Sequence, residues 1–183
     1  MTARCRLDLI DPETWDPHKC GCGVEYDPSW DYDVASFPAE EKERVLAVLE
    51  RLRPAAEAFE LTRVAVFNAG EDGFPGGCLG VQIRDLSSSA RIAIIGVDLA
   101  AHRAAEAENP LIDGDGEFAV TIAHELGHAI CDVGGLDLAP AEEEILVETF
   151  ARTVFQDAIA AIEGMKKIAQ PVIPRATSFS SFS

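Results

Sequence analysis

Apolar and polar positions change rhythm twice along the chain. Residues 38–60 carry Val45, Leu46, Val48, Leu49 and Leu52 at helical spacing, behind Pro38 and the acids Glu40, Glu41 and Glu43. Proline suits a first helical turn and acids suit the positive end of the helix dipole, so the pattern predicts a helix. Pro54 should kink or split it, because proline lacks the N–H that a helix interior uses. The rhythm then shortens. Stretches 62–67, 79–84 and 91–97 are rich in Val and Ile and separated by Gly, Pro and Ser turns, which predicts three strands. Helical spacing returns in a short helix over 99–107, a second over 117–133 and a long third over 142–163. Asp115 reads as the N-cap of the second and Gly134 as its stop.

These elements predict an α+β domain over 38–165, a small mixed sheet of about three strands packed on two helices. Residues 1–37 hold Pro12, Pro17, Pro28, both Trp, both Tyr and three of the five Cys, and read as a loop-rich arm packed through its aromatics. Residues 166–183, ending Ser-rich, read as a mobile tail.

The helix over 117–133 contains "AHELGHAI". Residues four apart share one helix face, so His124 and His128 can grip one metal ion through their imidazoles. Glu125 lies about 100° further round, where it can reach water on the ion without being a ligand. Zinc lowers the pKa of such a water to about 7, and an adjacent carboxylate takes its proton. Gly127 costs about 1 kcal/mol in a helix interior, which calls for close packing or ligand access there. Cys131 follows His128 by three residues on the same face and reads as a small packing residue.

A zinc site needs a third protein ligand. Position 134, six after His128, is Gly rather than His, so the extended HExxHxxGxxH pattern is absent. The short loop after Gly134 makes the next helix a neighbour, and its glutamates Glu142, Glu143, Glu144 and Glu148 are candidates. On a helical wheel Glu144 and Glu148 border the apolar face of Ala151, Val154, Phe155, Ala158, Ile159 and Ile162, while Glu142 and Glu143 fall away from it. Glu148 is preferred. It is one turn deeper than Glu144, and Ala151 after it permits close helix approach. Asp137 is a further carboxylate in reach of the loop.

With "HELGH" at 124–128 and "ETFA" at 148–151, the chain resembles a minimal gluzincin metallopeptidase of the ImmA/IrrE-like kind, over roughly residues 78–163. The resemblance implies a zincin-like fold and one catalytic Zn2+. Its implied ligands are His124, His128 and Glu148, with Glu125 as general base. It further implies an edge strand over the cleft that pairs with an extended peptide, for which 91–97 is the candidate. Related peptidases often carry Asp directly after ExxA to support a histidine ligand; this chain has Arg152, so another group must orient that imidazole. His102, Tyr26, Tyr32 and Arg152 are the candidates for stabilising an oxyanion.

Composition narrows the function classes. Asp and Glu number 32 against 15 Lys and Arg, a net charge of -17. Such a surface repels phosphate, which argues against nucleic acid and anionic membrane as partners; a protein or peptide substrate is what the resemblance implies. No apolar run approaches the roughly 20 residues of a membrane span, and the N-terminus lacks a secretory apolar region, so a cytoplasmic setting is expected. Five cysteines with no framework spacing read as reduced thiols. "HKCGCG" places His18, Cys20 and Cys22 together, as a second metal site, an inhibitory thiol or plain loop residues. The functional expectation is a zinc endopeptidase; the alternative is a binding or regulatory module in which zinc only fixes the fold.

Overall fold

A computed structural model describes residues 4–14, 34–74, 77–83, 91–109, 111 and 114–169. In chain order its elements are β1 (Arg6–Leu9), β2 (Val34–Ala35), α1 (Ala39–Ala58), β3 (Arg63–Ala69), β4 (Gly80–Ile83), β5 (Ile92–Val97), α2 (Leu99–Glu108), α3 (Gly114–Gly134), α4 (Pro140–Val154) and α5 (Ala158–Ala169). The fold is α+β. Its five strands exceed the three expected, because the N-terminal segment supplies two. "RLDL" of β1 alternates charged and apolar residues, a strand pattern in its shortest form. Asp8 pairs with Arg63 of β3 at 2.5 Å.

The sheet runs β1-β3-β5-β4, with β2 added antiparallel to the far end of β3. The β1–β3 and β3–β5 pairs are parallel; β4 is antiparallel to β5, with Gly80 opposite Val97. Strand 91–97, expected at the edge, is therefore interior, and β4 is the edge strand on its side of the sheet. Strand order is a non-local property, which a run of Val and Ile does not encode. Both faces of the inner strands are buried, as parallel strands usually are. Val64, Val66, Ala93 and Ile95 face the helices, while Ala65, Phe67 and Ile94 face a second cluster with Ile10 and Phe74.

The helix α1 runs unbroken through Pro54, burying Val45, Leu49, Leu52, Ala55 and Ala56. Glu41 of α1, itself buried, joins α1 to α2 through Arg103 at 2.8 Å. The helix predicted over 142–163 is two helices. At the break, Asp157 caps α5 by accepting from the Ala160 N–H at 2.9 Å. Asp115 lies inside α3 rather than at its N-cap. The other end of α3 closes one residue beyond Gly134, at Gly135 with φ +63°. Leu136 N–H donates to the Cys131 carbonyl and Gly135 N–H to that of Asp132, a Schellman ending. No helix among the described residues is long and apolar enough to cross a membrane. His18, Cys20, Cys22, Tyr26 and Tyr32, and the tail from 170 on, lie outside the described residues.

Helix α3 buries Ile122, Leu126 and Ile130 in the core. On its α4 side, a Cβ at Gly127 would come within 2.9 Å of Val147 Cγ1 and 3.4 Å of Phe150 Cδ1. Glycine is thus required by the close approach of α4. Replacing Gly127 by Ala gains about 1 kcal/mol of helix propensity but forces α4 outward, an overpacking cost of about 1–3 kcal/mol. The expected outcome is net destabilisation in denaturant titrations of the metal-free protein.

Candidate metal centre

The α3–α4 contact brings two imidazoles under three glutamates. His124 and His128 stand one turn apart with ring centroids 4.9 Å apart. Their Nε2 atoms face each other at 3.2 Å. The Glu144 carboxylate completes the group, with Oε2 3.5 Å from Nε2 of His124 and Oε1 3.5 Å from Nε2 of His128. Ligand atoms about 2.0–2.1 Å from a tetrahedral zinc stand roughly 3.3–3.4 Å from one another. The imidazole separation is close to that value, and the carboxylate reaches the two rings through its two different oxygens, with one ligand atom from each of the three residues lying within 4.8 Å of the others. Of the described residues, His124, His128 and Glu144 form the group able to hold a metal ion.

The outer nitrogens are also engaged. Nδ1 of His128 lies 2.8 Å from Glu143 Oε1, so the ring donates there and keeps its lone pair on Nε2. Nδ1 of His124 turns to Glu148 Oε2 at 3.4 Å. The inner nitrogens are close enough either to share one proton or to bind one cation together, and carboxylates on the far nitrogens are the usual support of metal-bound histidines. Arg152 holds Glu148 from the next turn and reaches Glu117 of α3 at 3.8 Å.

The arrangement differs from the wheel in two glutamates. The carboxylate between the inner nitrogens is Glu144, and Glu148 sits against the outer nitrogen of His124 and Arg152. Glu143, which the wheel turns away, is the partner of His128. The cause is the break after Val154. A wheel drawn through 163 averages in residues of α5, whereas the buried face of α4 alone is Val147, Phe150, Ala151 and Val154. Glu143 and Glu144 precede Val147 by four and three residues, and so continue that face. Their run "EEE" ahead of a buried valine was the available signal. Glu142 instead accepts from the Ala139 N–H at 3.3 Å, and Asp137 is exposed in the loop.

Glu125 is buried beside this group, only 9% exposed. Burial is the main cause that lifts its carboxyl to about 7, the nearby Glu144 adding to the rise and His128 opposing it. His102 is not in the group. It is buried edge-on against Phe118, with ring centroids 5.3 Å apart, and its Nε2 has no hydrogen-bond partner among the described residues. Phe118 precedes His124 by six residues, about 9 Å along the helix axis. Cys131 is buried, which pushes its thiol up to about 12 and suits a packing role. Gly80 of β4, which the sequence does not single out, touches this region. A Cβ there would lie 3.0 Å from Glu125 Oε1.

The chain matches no protein-family model, no curated protein and no solved structure.

Two outcomes follow from the geometry. Glu144→Gln is expected to weaken zinc binding more than Glu143→Gln or Glu148→Gln, each of which should cost roughly 10–100-fold as supporting groups. Competition with a chromophoric chelator measures the order, and a reversed order would return the ligand role to Glu148. In the metal-free protein, Glu125 has a folded pKa of about 7 against 4.5 unfolded. The folded state therefore keeps a proton that the unfolded state loses, and stability falls as pH rises from about 4.5 through 7, by up to about 3 kcal/mol. Glu125→Gln removes this dependence, so the stability gap between variant and wild type should widen over that range and then level off.

Proposed function

We propose that the chain is a zinc-dependent peptidase of minimal gluzincin type, with His124, His128 and Glu144 holding one zinc ion. The carrying observation is the grouping of His124, His128 and Glu144, one ligand atom from each within 4.8 Å of the others, with Glu125 buried one residue along the helix. A zinc ion bound by these groups would supply Lewis acidity, acidifying water and polarising a carbonyl. Glu125 accepts the proton of the attacking water and returns it to the leaving amine. Glu143 and Glu148 fix the tautomer and tilt of the two rings. Arg152, standing where a supporting Asp was expected, instead restrains Glu148. A zinc clip that merely fixed the fold would have no use for a buried carboxylate beside its ligands.

The edge strand supports a peptide as substrate. Asp98 N–H donates to the Leu79 carbonyl at 2.9 Å, so Leu79 turns its backbone groups toward β5. Alternate residues of an antiparallel strand turn theirs away. Gly80 and Gln82 therefore present N–H and C=O to the side of β4 away from β5, which is open among the described residues and where an extended chain can pair. This supports the zincin-like reading, with β4 in the place first given to 91–97.

The test loads the protein with zinc and follows hydrolysis of fluorescein-labelled casein. Wild type should retain one zinc and cut casein. Glu125→Gln should retain the zinc and lose about 10²–10⁴-fold in turnover. Equal turnover in the two proteins would contradict the assignment of Glu125.

A further inference from the structure

We infer that Gly80 is a positioning residue for Glu125: the absence of a side chain on the edge strand sets where the carboxylate of the proposed base lies. The inference rests on the peptidase reading and deepens it. Gly80 opens β4, and its φ is not in the left-handed region, so its backbone does not demand glycine. The demand is spatial. A Cβ at position 80 would stand 2.6 Å from Thr121 Cγ2, 3.0 Å from Glu125 Cγ and 3.0 Å from Glu125 Oε1. Thr121 and Glu125 are successive residues on one face of α3, four apart. The strand backbone thus lies directly on that face and forms one wall of the Glu125 site.

Two consequences separate this wall from ordinary packing. Thr121 is anchored, its hydroxyl donating to the Glu117 carbonyl at 3.0 Å, so its methyl cannot yield without breaking that bond or turning the side chain. Glu125 ends in a carboxylate on a flexible stem, which yields by rotating. A methyl group at position 80 therefore displaces the Glu125 oxygen even when the clash with Thr121 is relieved. The same residue presents its own backbone groups to the edge of β4 that is open among the described residues, so Gly80 borders both a peptide paired there and Glu125. Its main chain sets the spacing between the two.

The experiment uses the full chain as wild type, Gly80→Ala, Thr121→Ser, the double variant Gly80→Ala/Thr121→Ser, and Glu125→Gln. Each is assayed for zinc content, hydrolysis of fluorescein-labelled casein, calorimetric binding of acetohydroxamate to the zinc-loaded protein, and thermal unfolding without metal. The hydroxamate hydroxyl needs a carboxylate beside the ion to accept its hydrogen bond, so its affinity reports the position of Glu125 without turnover. Thr121→Ser should behave as wild type. Gly80→Ala and the double variant should both hold one zinc, lose about tenfold or more in kcat with KM within about twofold, and bind acetohydroxamate about tenfold more weakly.

The double variant should melt higher than Gly80→Ala, because Thr121→Ser removes the closest clash; it also carries the comparison if Gly80→Ala does not fold. Recovery of both turnover and hydroxamate binding in the double variant would assign the constraint to Thr121 packing and overturn the inference. Unchanged behaviour of Gly80→Ala would overturn it as well. Wild type that takes up no zinc defeats both readings. Wild type that takes up zinc and binds the hydroxamate but leaves casein intact counts against the peptidase reading alone, and the hydroxamate comparison still decides Gly80.

Discussion

The centre depends on how closely α4 lies on α3. Gly127 removes the side chain that would hold the two helices apart, and Val147 and Phe150 fill the space. Behind this contact, Ile122, Leu126 and Ile130 bury α3 against the core, and Ala151 and Val154 are buried along α4. The association is driven by apolar burial, which is non-directional. What is directional is its by-product: it delivers Glu143, Glu144 and Glu148 to two imidazoles that no local signal connects with them.

That by-product carries an electrostatic cost. Four carboxylates, Glu125, Glu143, Glu144 and Glu148, gather around His124 and His128, in a chain whose net charge is already -17. Arg152 offsets part of it by pairing with Glu148 and reaching Glu117, which also ties the end of α4 to the first turns of α3. The inner nitrogens and the Glu144 carboxylate lie within reach of one another, and a divalent cation held there would offset part of the crowding, so that folding and ion binding would favour one another. The division of the glutamates follows from their helical positions. Residues 143 and 148 are five apart and reach the outer nitrogens of different rings, while Glu144 falls between the inner ones.

How much of this the sequence discloses depends on whether a feature is local. His124, Glu125 and His128 need only a helix, and their spacing on it, to be recognised. The elements over 99–107 and 117–133 are likewise found within a few residues of their places. The third carboxylate depends on the rotation of α4 about its axis, which a break three residues long changes by resetting the face. Pro140 at the start of α4 is legible, whereas the stop after Val154 has no glycine or proline to announce it. Likewise β1 is a four-residue alternation inside a stretch dominated by prolines and aromatics, and the identity of the edge strand depends on pairings between distant segments. Gly80 reads as one of many loop glycines until its distance from Glu125 is known.

In the proposed centre, two imidazoles and the Glu144 carboxylate converge on one ion. X-ray absorption at the zinc edge tests this most directly, on the full chain loaded with one equivalent of zinc, as wild type and as Glu144→Gln. The expected wild-type result is a nitrogen and oxygen shell at about 2.0–2.1 Å with the outer-shell scattering of two imidazole rings. Glu144→Gln should lose a ligand or the ion. A sulfur shell at about 2.3 Å, or an unchanged spectrum in Glu144→Gln, would contradict it.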